Sequence, residues 1–276
     1  MPPRPAEPTW DSMRHLIPFM PKIPLVNVVR LQGTIATGRG RLSDAGVAAP
    51  IERAFTRGKP AAVALLINSP GGSPAQSSLI AARIRRLAAE KEVPVVAFVE
   101  DVAASGGYWL ATAADEIFLD ENSIAGSIGV ISAGFGLHAF IDKHGIERRV
   151  HTAGKSKSFM DPFRPEKEED VDRLIALQEV IHGNFINQVK SRRAHRLKEE
   201  HDLFTGDIWV GQQAVDVGLA DGIGHLVPVL KKRFGEKTRF NVLGPRRSLL
   251  KRIGAEAMTG ATGAVEERAL WARYGL

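Results

Sequence analysis

The chain has 276 residues, 44% of them hydrophobic, and a formal net charge of +6. That is enough apolar material for one large domain with appendages, and it excludes a chain disordered along its length. The absence of cysteine excludes disulfides and thiolate metal sites, and the charge comes with no zinc spacing or nucleic-acid motif, so no nucleic-acid partner is expected.

Residues 1–24 read as an arm, proline-rich at its start. Nothing approaches the ~18 consecutive apolar residues of a membrane-spanning helix. The run Leu16 to Met20 is shorter than the apolar region of a signal peptide, about 7 to 15 residues, and Pro18 interrupts it. The expected location is therefore cytoplasmic. Trp10, Leu16, Phe19 and Met20, with the positive charge, admit peripheral contact with an anionic inner-membrane surface.

The next segments alternate. Leu25 to Leu31 predicts a strand, and Ser43 to Arg57 predicts a helix with Val47, Ile51, Ala54 and Phe55 on one face. Ala61 to Ile67 predicts a second buried strand. The turn Asn68-Ser69-Pro70-Gly71-Gly72 then feeds a helix with Ser73 as N-cap, Pro74 in its first position and Gln76 placed for a capping box. A third strand covers Val93 to Val99, and strand, helix, strand in this order predicts a largely parallel α/β sheet.

Ser105 follows that third strand and opens a small-residue helix that Asp115 closes. A serine there is either a cap or a nucleophile. In the second reading, unpaired N–H groups at the helix start and at the side-chain-free Gly71 and Gly72 stabilise charge developing on an attacked carbonyl oxygen. Short strands are predicted at Glu116 to Leu119 and Ile128 to Ser132. A long helix from Pro165 to about Arg193 carries the stripe Leu174, Leu177, Ile181, Phe185 and Val189. Gly218 stops a further helix, and past Lys231 the chain turns basic, with a last helix from Ala264 to Tyr274.

A serine hydroxyl needs a base. On the residues alone the candidates are His138, His144 and His151, in a Ser-His-Asp arrangement, or Lys157 in the polar segment Gly154 to Ser158. A lysine base must lose water, because an ordinary ammonium with a pKa of about 10.4 stays charged at neutral pH.

Five motifs in order, Asn68-Ser69-Pro70-Gly71-Gly72, Ala104-Ser105-Gly106-Gly107-Tyr108, Gly126-Ser127-Ile128-Gly129-Val130, Gly154-x-x-Lys157 and Gly218-Leu219-Ala220-Asp221, resemble the signal peptide peptidase A family of serine proteases, peptidase family S49. The resemblance implies a Clp protease/crotonase-like fold, a largely parallel sheet ringed by helices, with a catalytic domain at 25–230 and a basic extension at 231–276. It implies a serine endopeptidase acting on extended peptides, such as signal-peptide remnants or fragments of unfolded membrane proteins. Ser105 is then the nucleophile, Lys157 rather than Lys155 the base, and Ser127 the serine that orients it. Gly106 with Gly71 or Gly72 forms the oxyanion hole. No metal or cofactor is implied, and a ring-like homo-oligomer is. The alternatives are a Clp-like Ser-His-Asp protease, an acyl-CoA hydratase or isomerase, which has no use for a nucleophilic serine, and a non-catalytic scaffold on the crotonase fold.

Overall fold

The computed structural model of the chain describes residues 23–38, 40–154, 156–198, 200–244 and 268–276. Nearly all of the expected arm, Lys155, and residues 264–267 of the expected last helix lie outside them.

The three apolar runs form β1 (Leu25–Gln32), β2 (Ala62–Ser69) and β3 (Val95–Ala104). They pair in parallel, with Val28 opposite Ala64 and Ala64 opposite Val96. Parallel neighbours need crossovers, supplied here by α1 (Asp44–Thr56) and α2 (Pro74–Lys91). Ser43 and Ser73 cap these helices through their side chains. The Gln76 side chain, however, accepts from the Asp44 N–H at 2.9 Å, while the Ser73 N–H goes to the Ile35 carbonyl at 2.7 Å. The expected capping box is thus replaced by a tie between α1 and α2.

β3 runs five residues past its expected end and serves two neighbours on one edge. Val96 to Val99 pair with β4 (Glu116–Leu119), and Val102 to Ala104 pair with β5 (Ile124–Gly126). The Ser123 hydroxyl fills the gap between them, donating to the Glu100 carbonyl. β6 (Ile208–Val210) lies antiparallel to β5, β7 (Gly222–Ile223) parallel to β4, and β8 (Arg239–Leu243) parallel to β1. Among the described residues the sheet has eight strands in the order β6-β5-β3-β2-β1-β8, with β4 and β7 branching from β3.

The strand expected at Ile128 to Ser132 is not formed. Pairing stops at Gly126 because Gly126 and Ser127 both take positive φ, at 105° and 53°. β8 adds to β1 from beyond residue 230, which itself lies inside α7 (Leu226–Phe234).

Both faces of the central strands are buried, as continuous apolar runs require. Leu65, Ile67, Val95 and Ala97 face the main core with α1 and α2, while Ala64, Val96 and Phe98 face Leu230 of α7. On the main-core side, α3 (Gly106–Ala111) stacks Trp109 on Phe185 of α5 (Glu168–Arg193), ring centroids 5.0 Å apart. Only the second half of α5 is covered. Phe185 and Val189 are buried, but Leu177 of the same expected stripe is half exposed. No described helix is long and apolar enough to cross a membrane.

Candidate active site

β3 delivers Ser105 to the C-terminal end of the sheet. Its backbone sits at φ 51° and ψ −122°, a conformation that L-residues other than glycine avoid, at a cost of about 1 to 3 kcal/mol. The bond from its N–H to the Gly126 carbonyl, 2.9 Å, holds it there, and its own carbonyl accepts from the Trp109 N–H at 3.0 Å. Its side chain caps nothing. The capping role open to this serine is therefore not the one it plays, whereas Ser43 and Ser73 do cap.

The glycines converge on the same point. A Cβ on Gly71 would lie 2.8 Å from the Ser105 Cβ and 2.9 Å from the Gly106 nitrogen, and one on Gly106 would lie 3.4 Å from the Gly72 nitrogen. Only backbone without side chains fits here. The Gly71 N–H is taken by the Ser69 Oγ at 3.2 Å. The Gly71 carbonyl accepts from the Ile35 N–H at 2.8 Å. Across a trans peptide the next N–H points the opposite way, so that of Gly72 faces the Gly106 side. Neither the Gly72 nor the Gly106 N–H has an acceptor among the described residues. Of the expected pair Gly71 and Gly72, the open donor is Gly72.

Ser127 stands beside Ser105, one residue past the Ala104–Gly126 pairing of β3 and β5. Its N–H donates to the Asp207 carbonyl at 2.6 Å. Its hydroxyl lies 3.5 Å from the Tyr274 hydroxyl, which comes from the C-terminal residues. His182 of α5 bonds the Ile128 carbonyl through Nε2 at 3.0 Å. Neither Tyr274 nor His182 was among the site residues expected from sequence. A contact across 147 positions, as for Tyr274, leaves no local signal.

Lys157 is not joined to this cluster within one chain. It is exposed, its N–H bonds the Gly154 carbonyl at 3.2 Å, and its ammonium has no hydrogen bond or ion pair among the described residues. The segment that precedes it in the chain presents Ile131, Phe135, Phe140 and Ile146 to solvent, Phe135 at 83% exposure. His138, His144 and His151 are exposed as well, and none is hydrogen-bonded to Ser105. A His225–Asp120 pair at 2.8 Å does exist near Ser123. Ser123, though, is buried and commits its hydroxyl to strand carbonyls, so this trio is structural. No cluster of metal-ligating side chains occurs among the described residues.

A largely parallel α/β sheet thus carries, on a strained strand-to-helix turn, a serine whose side chain caps nothing, beside two open N–H groups. Residues 88–236, more than half the chain, match the model of peptidase family S49, and the chain belongs to that family. The chain is 31% identical over 209 residues to the chloroplastic serine protease SPPA of Arabidopsis thaliana, covering 73% of this chain and 31% of that one. It is 32% identical over 215 residues to protease 4 of Haemophilus influenzae, covering 75% and 34%. A Brucella melitensis protein named Na(+)/H(+) antiporter NhaA is 49% identical over 271 residues, covering 91% of this chain. The chain spans 37% of the length of that protein. Among solved structures, the 1510-N membrane-bound stomatin-specific protease, as its S97A mutant, aligns over 82% of this chain and 100% of its own. Its TM-score is 0.46 and its identity 14%.

Proposed function

We propose that the chain is a serine endopeptidase that cleaves extended peptides through an acyl-enzyme on Ser105, with Lys157 as general base and Ser127 orienting it. The observation that carries this reading is the strained, uncapped Ser105 facing the free N–H groups of Gly72 and Gly106.

The Ser105 Oγ attacks the scissile carbonyl carbon as its proton passes to the Lys157 amine. The carbonyl oxygen takes up negative charge and accepts from the Gly72 and Gly106 N–H groups, each donor contributing about 10²- to 10³-fold in rate. Collapse breaks the C–N bond, and the departing amine takes the proton from Lys157. Water then attacks the acyl ester, giving a proton to Lys157, and the Ser105 oxygen recovers it as the peptide acid leaves. General base assistance contributes a further 10²- to 10⁴-fold, roughly.

An exposed ammonium is a poor base, so Lys157 needs cover. We assign that cover to a ring-like homo-oligomer in which copies pack through the apolar side chains of the 131–146 segment, drawing Lys157 out of water and limiting access to unfolded chains. We place the enzyme on the cytoplasmic side of the inner membrane, where it would act on remnants of exported or membrane proteins. The relation to the longer Brucella protein, named as an antiporter, supports that setting.

The test is hydrolysis of a fluorogenic unfolded peptide. Ser105→Ala and Lys157→Ala should each abolish turnover with folding intact, without additive losses in the double variant, and Lys155→Ala should keep it. Turnover by Ser105→Ala overturns the proposal. Loss on Lys155→Ala with retention on Lys157→Ala moves the base to Lys155.

A further inference from the structure

Ser69 has no side-chain contact with substrate space, yet it joins three parts of the site. It is fully buried at the end of β2. Its hydroxyl donates to the Gly33 carbonyl at 2.7 Å and accepts from the Gly71 N–H at 3.2 Å. Its carbonyl lies so close to Gly107 that a Cβ there would sit 2.4 Å away. The bond to Gly33 leaves the hydroxyl's proton no second use, so the lone pair facing Gly71 is the acceptor that fixes that peptide's rotation. The Gly71 N–H belongs to the 70–71 peptide, held by Ser69, and the Gly71 carbonyl to the 71–72 peptide, held by the Ile35 N–H, so the peptides on both sides of Gly71 are fixed. The Gly72 N–H is thereby turned away from Ile35, with its nitrogen 3.4 Å from where a Cβ on Gly106 would lie.

We infer that Ser69 is the positioning residue of the oxyanion hole, holding the Gly71–Gly72 turn so that the Gly72 N–H meets the charge that develops at Ser105. This rests on reading Ser105 as the nucleophile. Without the Ser69 hydroxyl, the Gly33 carbonyl and the Gly71 N–H both lose a partner, and the 70–71 peptide can turn and carry Gly71 with it, leaving the 71–72 peptide on the Ile35 bond alone. The effect falls on the tetrahedral state, which needs the donor, and not on the bound peptide, which does not.

The experiment compares Ser69→Ala with the wild-type chain in kcat, KM and affinity for a peptide boronic acid, which forms a tetrahedral adduct with a serine oxygen. Rates are scored per active site. Ser69→Ala should lose about 10- to 100-fold in kcat, as a misplaced group does, with boronate affinity falling by the same factor and KM holding. Unchanged kcat and boronate affinity, or a loss explained by the active fraction alone, overturns the inference. If Ser69→Ala is not recovered folded, Ser69→Cys, whose thiol is a weaker partner of similar size, is scored by the same criteria. Ser105→Ala serves as the separate control. If it binds the boronate as tightly as wild type, the nucleophile reading fails and takes this inference with it; if it does not, a failure on Ser69 counts against Ser69 alone.

Discussion

Replacing Gly72 by alanine sets the geometry of the turn against its chemistry. Gly72 has φ 137°, and its new Cβ would lie 2.1 Å from the Ile35 carbonyl oxygen, 2.9 Å from the Ile35 carbon and 3.0 Å from its nitrogen. All three are backbone atoms, clamped by the Ile35 N–H to Gly71 carbonyl and Ser73 N–H to Ile35 carbonyl bonds. No side chain can rotate aside, so the turn must move by roughly 1 Å to reach an ordinary contact. The positive φ alone costs about 1 to 3 kcal/mol, and a shift of about 1 Å in a site group costs about 10²-fold in rate. Gly72→Ala should therefore lower the melting temperature by several degrees, at roughly 2 to 4 °C per kcal/mol for a chain of this size, and cut kcat by about 10²- to 10³-fold. Gly106→Ala is the contrast. Its φ is not in the left-handed region and its Cβ meets the Ser77 hydroxyl at 2.4 Å, a side-chain atom on a rotatable bond. It should melt closer to wild type while still losing rate, because the methyl sits over the Gly72 nitrogen. Thermal melts with peptide hydrolysis measure both, and a Gly72→Ala chain with wild-type kcat would refute the oxyanion assignment.

Asp44 accepts a two-pronged bond from Arg83, at 2.8 and 2.7 Å, and this holds its carboxyl below the ordinary value of 3.8. A depressed folded value stabilises the fold above the unfolded value, and the gain disappears as pH falls through the folded one. Asp44→Asn should thus unfold at lower urea than wild type at pH 7, and the gap should begin to narrow near pH 3.8 and close as pH falls through the lower folded value; a gap that does not narrow on acidification contradicts the assignment. Arg193 is 2% exposed and bonds Asp221 at 2.6 Å and the Gly218 carbonyl at 2.8 Å. Asp221→Asn leaves that guanidinium without its counter-charge and should cost about 3 to 5 kcal/mol in chemical denaturation, while a loss below about 1 kcal/mol would show the pair to be dispensable. The rate profile against pH separates the bases: a histidine places the rising limb of kcat/KM near 6.5 and a desolvated amine above it.

The parts of the fold that could be read in advance are those in which one segment decides its own structure. β1, β2 and β3 are runs of buried aliphatic residues, and α2 announces itself through Ser73 and Pro74. β8 was not legible, because Arg239 to Leu243 is a five-residue run in the basic, glycine-broken end of the chain and its place in the sheet depends on β1. The site divides in the same way. Ser105, Gly71, Gly72 and Gly106 sit at the ends of strands that sequence locates, so their convergence follows from the parallel sheet. Ser69 was visible only as a motif letter, since its role depends on Gly33 across the sheet. Lys157 is exposed, as are Ile131, Phe135, Phe140 and Ile146 of the segment before it, so the cover proposed for it is not written in the contacts of one chain. Asp221, read in sequence as part of a motif, proves to be the counter-charge of Arg193 and Arg196.

Covalent labelling with a fluorophosphonate followed by peptide mass mapping tests most directly whether Ser105 is the nucleophile. One adduct is expected, on Ser105, that is absent from Ser105→Ala and forms slowly on Lys157→Ala. An adduct on Ser127 or any other residue in place of Ser105, or no adduct on the folded, assembled protein, would contradict it.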